Sequence, residues 1–446
     1  MAAPAAQDAS KAPNRWIQLI AGIVAMMAIA NLQYAWTLFT KPLTASLHVS
    51  LAVVQVAFST FIIAETWLVP FEGYLVDRIG PRLMLAIGGV LVGVGWVGAG
   101  KAVTVQQLII LYTIGGIGAG VVYGGTVGNA LKWFPDHRGL AVGLTAGAYG
   151  VGTAVTVAPI AKMMATSGYQ HTFVVWGIIQ GIVVIAAALF LQKPPEGYAP
   201  PNWEEKKKKI LTKVRSSAVD MTPTQMIRTG SFWIIYLMMT MLAFGGLVVT
   251  AQISPIAKFY HVDKVVVAFG MTALILAIEV DRVLNGFTRP FWGWVSDHIG
   301  RENTMFIAFT LEALAVFGLL HLVSHPVWFI LMSGFCFFAW GEIFSLFPSI
   351  TGDLFGQKWC TTNYGIVYTS KGVASILAGP VAALVSFKTG SWVPVFYAMV
   401  GCDLVAALMA LFWLKPVAAR TVKQSQTMLD TTVATSGKLK GARGVA

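Results

Sequence analysis

Hydrophobic residues occur in long runs along most of the chain, and short polar segments separate them. A helix needs about 20 apolar residues to cross the hydrocarbon layer of a membrane, and these runs have that length. The pattern therefore predicts an all-α membrane protein with twelve transmembrane helices, which begin near Trp16, Leu51, Leu83, Leu108, Gly139, Thr172, Phe232, Val265, Thr304, Val327, Tyr364 and Trp392.

One long polar segment interrupts this pattern and predicts a division into two six-helix bundles. The first apolar run is long enough to remain as a membrane span rather than a cleaved signal. We expect disorder in the basic C-terminal tail, because it has few apolar residues. The predicted parts are an N-terminal segment (1–15), a first bundle (16–192), a central loop (193–230), a second bundle (231–414) and the tail (415–446).

The composition supports a membrane protein, with 56% hydrophobic residues, 11% charged residues and a mean hydropathy of +0.71. The net charge of +12 reflects topology rather than nucleic-acid binding. Of the 31 Lys and Arg residues, 22 lie on the side of the predicted bundle that holds both termini, and 5 lie on the opposite side. Positive charge concentrates in cytoplasmic loops, so we expect cytoplasmic termini and contact with anionic lipid.

Two cations lie inside predicted spans. Arg289 interrupts the apolar run that begins at Val265, and Lys371 interrupts the run that begins at Tyr364. A charge at the bilayer centre costs about 2.5 to 3.5 kcal/mol on insertion scales, so it is retained where it faces a cavity, a partner or a ligand. Arginine can bind one carboxylate through two hydrogen bonds, and lysine supplies a compact second charge. The pair predicts a site for a small dianion.

Two alternatives for these cations remain open. Each could be neutralised by an internal carboxylate, or could lie in a water-filled vestibule. For any single aromatic residue, helix packing or lipid contact is the more common role, since the chain contains 15 Trp, 12 Tyr and 26 Phe. Tyr368 precedes Lys371 by three residues and is therefore expected on the same helix face.

A sequence repeat relates the two halves. The segment Pro70–Gly73, followed by Asp77 and Gly80, recurs 220 residues later from Pro290. Transporters built from parallel repeats hold the substrate near the membrane midplane, between the halves. Glycine in these segments permits close helix approach, and the charged residues are expected to close a cytoplasmic gate. The predicted gate residues are Gly73, Asp77, Arg78, Arg82, Gly293, Asp297 and Arg301.

The spacing of these segments resembles the loop signature of the major facilitator superfamily. From end to end the chain also resembles the oxalate/formate antiporter family. The resemblance is carried by the segments Asn14–Trp16, Leu32–Leu38, Lys132–Ala141, Arg289–Gly293, Trp340–Ser349 and Asn363–Gly365 with the following Lys371. It implies alternating-access transport, with oxalate exchanged for formate, by a protein of a bacterial inner membrane.

The same resemblance implies that Arg289 and Lys371 engage the substrate carboxylates. Phe344 stands where a tyrosine is usual in the family. Rings above and below a small flat anion would exclude water from it. The positions that the resemblance places in the cavity wall are Tyr34, Gln55, Tyr123, Tyr149, Trp340 and Tyr368.

Extra charged residues depart from the family pattern, which has uncharged residues at these positions. Glu279 and Arg282 are three residues apart and are expected to pair on one helix face, as a structural ion pair or as part of the anion path. The full set of possible proton or charge-balancing residues is Glu65, Glu279, Asp281, Arg282 and Glu342. A buried acid can carry a proton, and Asn285–Arg289 also resembles proton-coupled monocarboxylate transporters. A symporter of lactate, pyruvate or formate is therefore the alternative function.

Other classes of function fit the sequence less well. The seven His and three Cys residues lack metal-ligand spacing, so we expect no enzyme, no metal site and no cofactor. No sequence feature indicates the pore of a channel, and we expect a monomer. A sensor built on a transporter fold remains open, because fold does not determine function.

Overall fold

The structure, a computed structural model, describes residues 13–49, 51–200, 217, 219–268 and 270–427. Within these ranges the chain is almost entirely helical. The first six spans are formed by Arg15–Tyr34 with Trp36–Leu47 (span 1), Leu51–Trp67 with Val69–Ile79 (span 2), Pro81–Lys101 (span 3), Val105–Trp133 (span 4), and Arg138–Phe190, which turns at Gly168 from span 5 into span 6.

The second half repeats this arrangement after a short helix, Pro223–Met226. Its spans are Gly230–Phe259 (span 7), Ala273–Ile299 (span 8), Arg301–Leu322 (span 9), Pro326–Trp340 with Ile343–Phe355 (span 10), Cys360–Ile376 with Leu377–Val381 and Ala382–Thr389 (span 11), and Val393–Met409 with Ala410–Leu414 and a continuation to residue 427 (span 12). The predicted fold of two six-helix bundles is confirmed. We call the end where span 1 begins and span 12 ends the terminal side.

Two local predictions are wrong. Span 8 begins at Ala273 rather than near Val265, because the β-branched segment Val266–Ala268 pairs with Met271–Thr272 in a small hairpin (β1 and β2). The tail is helical as far as Thr427, where the described residues end. Its first turns pack against span 7, and the Ser231 and Thr421 hydroxyls lie 2.6 Å apart.

Three spans differ from the others in helix length or composition. Nine helices in the described part of the chain are long and apolar enough to cross a membrane. Spans 2, 8 and 11 fall outside this group, and these three carry Glu65, Arg289 and Lys371. The first helix of span 2 is apolar but short, whereas span 8 is long but carries several charges.

The sequence repeat is also a repeat of backbone conformation. Gly80 and Gly300 separate consecutive helices in the two halves, and their φ/ψ angles are 116°/158° and 92°/156°. Positive φ angles of this kind are accessible to glycine without steric cost. The two loops therefore turn in the same way and leave the preceding aspartates in equivalent positions.

Each of these aspartates binds the first turn of a helix in the opposite half. Asp77 Oδ2 accepts hydrogen bonds from the backbone N–H (2.9 Å) and the hydroxyl (2.8 Å) of Thr362. Asp297 accepts from the backbone N–H groups of Gly139 and Leu140, both at 3.0 Å. A carboxylate satisfies free N–H groups at a helix start and interacts favourably with the helix dipole. The two contacts join the halves symmetrically.

Ion pairs reinforce this seam on the terminal side. Asp353 of span 10 accepts hydrogen bonds from Arg138 of span 5 and from Arg301, the latter at 2.8 Å. Arg301 also binds Asp297 at 2.6 Å, and Lys132 binds Asp77 at 2.5 Å. Asp353, Arg138 and Lys132 were absent from the predicted gate, because their partners lie far away in sequence.

The remaining predicted gate residues fall into two groups. Gly73 and Gly293 allow the halves to touch: a Cβ atom on Gly73 would lie 2.9 Å from the Thr361 carbonyl oxygen, and one on Gly293 would overlap the Gly139 carbonyl. Arg78 instead donates to Tyr74 of its own helix, at 2.9 Å. Neither Arg78 nor Arg82 forms an ion pair with another described residue.

We predict that Asp353→Asn opens the terminal side. The substitution leaves Arg138 and Arg301 buried with a weakened partner, and loss of one member of a buried ion pair costs about 3 to 5 kcal/mol. Cys360 reports the change, because it is 1% exposed and its sulfur lies 3.7 Å from the Gly128 carbonyl of the other half. In a background that lacks Cys336 and Cys402, maleimide labelling of Cys360 should accelerate at least about tenfold.

The control for this experiment is Glu196→Gln, which removes an exposed acid outside the spans. It should leave labelling at the wild-type rate. Slow labelling of Cys360 in Asp353→Asn would show that the Asp353 ion pairs do not hold the halves together.

Candidate functional site

Arg289 and Lys371 lie in the interior of the bundle, and both are close to one aromatic ring. Arg289 of span 8 is 2% exposed and Lys371 of span 11 is 5% exposed. The Arg289 guanidinium carbon lies 4.2 Å from the Phe344 ring centroid, and the Lys371 nitrogen lies 5.6 Å from it. Cations are attracted to the face of an aromatic ring, so Phe344 partly compensates both charges.

Neutral oxygens hold the Arg289 guanidinium. Nη1 donates to the Ala146 carbonyl of span 5 at 2.7 Å, and Nη2 donates to the Asn285 side-chain oxygen at 2.6 Å. Nε is buried without a hydrogen-bond partner among the described residues. No described carboxylate lies within ion-pair distance of Arg289. Its positive charge is therefore free to bind an anion.

Lys371 is held by its own helix and lies near one acid. Its ammonium group donates to the Tyr368 hydroxyl, one turn earlier, at 2.9 Å. Glu65 of span 2 is its acidic neighbour but is not within ion-pair distance. The Tyr149 hydroxyl donates to Glu65 Oε1 at 3.2 Å, while Oε2 is buried without a described partner. Among the described residues, the site thus combines two cations with the Glu65 carboxyl group.

A break in span 10 positions the Phe344 ring. The helix ends at Trp340 and resumes at Ile343. The break frees the Phe338 carbonyl, which accepts hydrogen bonds from the Thr288 hydroxyl and, at 3.0 Å, from the Trp292 indole N–H. These residues flank Arg289 in span 8. The hydrogen bonds therefore fix span 10 against the helix that carries the cation.

Tyrosine rings form a continuous wall beside the cations. Tyr34 and Tyr149 meet edge to face at 5.2 Å, and Tyr149 meets Tyr123 at 6.1 Å. Tyr123 stacks on Tyr368, with centroids 5.0 Å apart and planes 14° apart. Aromatic contacts of this kind form a firm apolar surface with polar edges. Four of the predicted cavity residues are thus brought together.

The other two predicted cavity residues have different outcomes. Trp340 meets Phe344 edge to face at 5.3 Å and donates its indole N–H to the Leu242 carbonyl at 3.1 Å. Gln55 lies in span 2, but its side chain is outside the described residues.

The extra charges of span 8 do not pair as expected. Glu279 is exposed, and it forms no ion pair with Arg282 within the described part of the chain. Arg282 instead donates to the Tyr34 carbonyl at 3.3 Å and lies 5.9 Å from the Tyr34 ring centroid. Asp281 is buried, at 4% exposure, and faces Ser333 of span 10.

Several residues of the interior were missed by sequence reasoning. Asn285 lies one helical turn before Arg289, and this spacing could have identified it. The role of the Ala146 carbonyl could not be predicted, because a sequence pattern does not show which backbone groups bind a side chain. Glu72, Glu312 and Asp403 are also buried. Each is an acidic residue within an apolar run, so the sequence could have identified them as interior residues. No group of three or more His, Cys, Asp or Glu in the described ranges has metal-binding geometry.

Comparison with known proteins identifies the family of the chain. A sequence profile of the Major Facilitator Superfamily matches residues 19–286 and 283–443. The oxalate:formate antiporter of Oxalobacter formigenes is 35% identical over 415 residues, which cover 92% of this chain and 94% of that protein. Monocarboxylate transporter 14 of Mus musculus is 22% identical, with 80% of this chain and 81% of that protein covered.

Solved structures share the fold at low sequence identity. The proton:xylose symporter XylE, bound to 6-bromo-6-deoxy-D-glucose, has a TM-score of 0.68 and 15% identity, with 90% of this chain and 96% of that chain covered. FucP in the outward conformation has a TM-score of 0.64 and 14% identity, with 89% of this chain and 98% of that chain covered. This chain therefore belongs to the major facilitator superfamily and, within it, to the oxalate/formate antiporter family.

Proposed function

We propose that this protein exchanges small carboxylates across a membrane by alternating access, with oxalate and formate as the exchanged pair. The observation that carries the proposal is the pair of buried cations, Arg289 and Lys371, which face Phe344 and have no described acid at ion-pair distance. The 35% identity to the Oxalobacter formigenes oxalate:formate antiporter supports this choice of substrates.

The charge of the site favours a dianion. Two positive charges repel each other most strongly where the dielectric constant is low. A small dicarboxylate relieves that repulsion, because one carboxylate can bind the Arg289 fork and the other the Lys371 ammonium. Binding would therefore stabilise a closed form of the transporter around the anion. The change would be driven by the anion's higher affinity for the closed form than for the open form.

The two halves supply the movement. Asp77 and Asp297 hold them together on the terminal side, and their release would open that side to the anion site. We assign this side to the cytoplasm from the excess of Lys and Arg in its loops, and the membrane to the bacterial inner membrane. Monomers suffice for this cycle, since each chain contains both halves.

Glu65 favours a second candidate, proton-coupled symport of a monocarboxylate. Glu65 is a buried carboxyl group near Lys371, so it can bind a proton when the anion enters the site and release the proton when the anion leaves. The similarity to monocarboxylate transporter 14 agrees with this candidate. Vesicles loaded with formate should take up labelled oxalate in exchange, whereas a symporter takes up lactate under an inward proton gradient without internal anion.

We predict that Arg289→Ala and Lys371→Ala abolish oxalate transport in proteoliposomes. Removal of a buried charge that binds an opposite charge costs about 2 to 5 kcal/mol, which lowers affinity roughly 30-fold or more. Labelled oxalate uptake and oxalate-induced thermal stabilisation should both be lost. Arg228→Ala and Lys258→Ala, which remove exposed charges of the same type, are the controls. Wild-type uptake in either site variant would refute the assignment.

We predict that Glu65→Gln shifts selectivity towards the dianion. The substitution keeps the size of the side chain and a hydrogen-bond acceptor for Tyr149, but it removes the negative charge near Lys371. The ratio of oxalate to formate affinity should rise at least about tenfold, an effect of about 1.4 kcal/mol. Competition against labelled oxalate measures the ratio. An unchanged ratio would mean that Glu65 does not set the charge of the site.

A further inference from the structure

A groove lies on the outer face of the bundle, between span 5 of the first half and span 8 of the second half, with span 1 beside them. Its volume is about 480 Å³. Val151, Val283 and Phe287 line the groove and are 46%, 60% and 59% exposed, so it is open to the surrounding membrane. We call it the lateral groove. Hydrocarbon chains of the membrane can enter it directly.

Small residues where spans 5 and 8 meet give the lateral groove its shape. A Cβ atom on Gly147 would lie 2.7 Å from the Gly286 carbonyl oxygen, and one on Gly150 would lie 3.0 Å from Gly286 Cα. Glycine lets two helices approach this closely. All three glycines also line the groove, where they add no side chain. The shape of the groove therefore depends on how the two halves are placed relative to each other.

The lateral groove has about the depth of one leaflet. On span 8 its lining extends from Pro290, the neighbour of Arg289, to Arg282, which lies eight residues nearer the side opposite the terminal side. Eight helical residues span about 12 Å. The hydrocarbon layer of a membrane is about 30 Å thick, so one leaflet fills about 15 Å. An acyl chain that enters from the side opposite the terminal side would therefore reach the level of the anion site.

Arg282 is the one charged side chain among the described residues that line the lateral groove. Its Nη1 donates to the Tyr34 carbonyl at 3.3 Å, and its other N–H groups donate to no described residue. Asp281 is an electrostatic neighbour of Arg282 but is not within ion-pair distance. A guanidinium with free N–H groups is well suited to bind a phosphate. The outer end of an apolar groove therefore carries a group that can bind a lipid phosphate.

Glu279 extends the same face of span 8 towards the membrane surface. It precedes Val283 by four residues and Gly286 by seven, and both of these line the lateral groove. Glu279 is exposed and forms no ion pair with a described Lys or Arg. From the midplane outwards, this face presents apolar side chains, the cation of Arg282 and then the anion of Glu279. Phosphatidylethanolamine has the complementary order of acyl chain, phosphate and ammonium.

We propose that the lateral groove binds one phosphatidylethanolamine molecule from the leaflet opposite the terminal side. An acyl chain lies along spans 5 and 8, the phosphate binds Arg282, and the ammonium group lies near Glu279. Because each half contributes a helix to the groove, the bound lipid stabilises the arrangement in which Asp77 and Asp297 join the halves on the terminal side. The inference does not depend on which carboxylates the protein carries.

The test uses purified full-length protein in detergent, with dioleoyl phosphatidylethanolamine and dioleoyl phosphatidylglycerol as probes. Native mass spectrometry should show one phosphatidylethanolamine bound per chain, and this lipid should raise the melting temperature more than phosphatidylglycerol does. Arg282→Gln removes the charge that binds the phosphate and should weaken phosphatidylethanolamine binding about tenfold. Glu279→Gln should abolish the preference between the two lipids. Ala154→Phe fills the groove and should weaken the binding of both.

Matched variants and a second ligand serve as controls. Lys258→Gln removes an exposed cation on the same side of the membrane, and Val155→Phe adds a ring to an exposed residue of span 5 that does not line the groove. Both should bind phosphatidylethanolamine as the wild type does. Arg282→Gln should keep its oxalate-induced thermal stabilisation, which separates the lateral groove from the anion site. The melting temperature without lipid reports the folding of every variant.

Four results would overturn the lipid site. Equal binding of the two lipids by the wild type would contradict recognition of the headgroup, and undiminished binding by Arg282→Gln would contradict the role of its guanidinium. Loss of oxalate-induced stabilisation in Arg282→Gln would instead place this residue in the anion path. A dimer that dissociates in Ala154→Phe would place a second copy of the chain, rather than a lipid, in the groove.

Discussion

Two positive charges in the centre of the bundle are the constraint around which the structure is organised, since neither has a described acidic partner at ion-pair distance. Their desolvation is offset by neutral groups: a backbone carbonyl and an amide for Arg289, a phenol for Lys371, and the face of Phe344 for both. Such partners stabilise a cation without cancelling its charge. The interior thus remains attractive to anions, and the neighbouring tyrosines give it a defined shape.

The Ala146 carbonyl links this centre to the movement of the halves. It belongs to span 5, whose first turn is bound by Asp297 of the opposite half. Arg289 therefore contacts both halves. Spans 5 and 8, which this contact joins, also form part of the seam on the terminal side. We expect an event at the anion site to reach the seam through these packed helices and hydrogen bonds.

The sequence predicts the spans and both cations, because a long apolar run and a charge within it are local signals. Asp353 was not predicted, since its contacts to Arg138 and Arg301 depend on how distant helices pack. The predicted start of span 8 was wrong for a different reason. The β-branched residues there favour a short hairpin over a helix. The predicted ion pair between Glu279 and Arg282 does not form. Helical spacing permits that contact, but Arg282 instead donates a hydrogen bond to the Tyr34 carbonyl of span 1.

The charges of span 8 have a consequence for biosynthesis. This span is long enough to cross a membrane, but it carries Asp281, Arg282 and Arg289 and is not among the helices recognised as apolar enough, whereas spans 7 and 9, which flank it, are recognised. A newly made helix with central charges partitions poorly into lipid by itself. We therefore expect span 8 to enter the bilayer together with an adjacent helix, so the cation in its centre also constrains how the bundle is assembled.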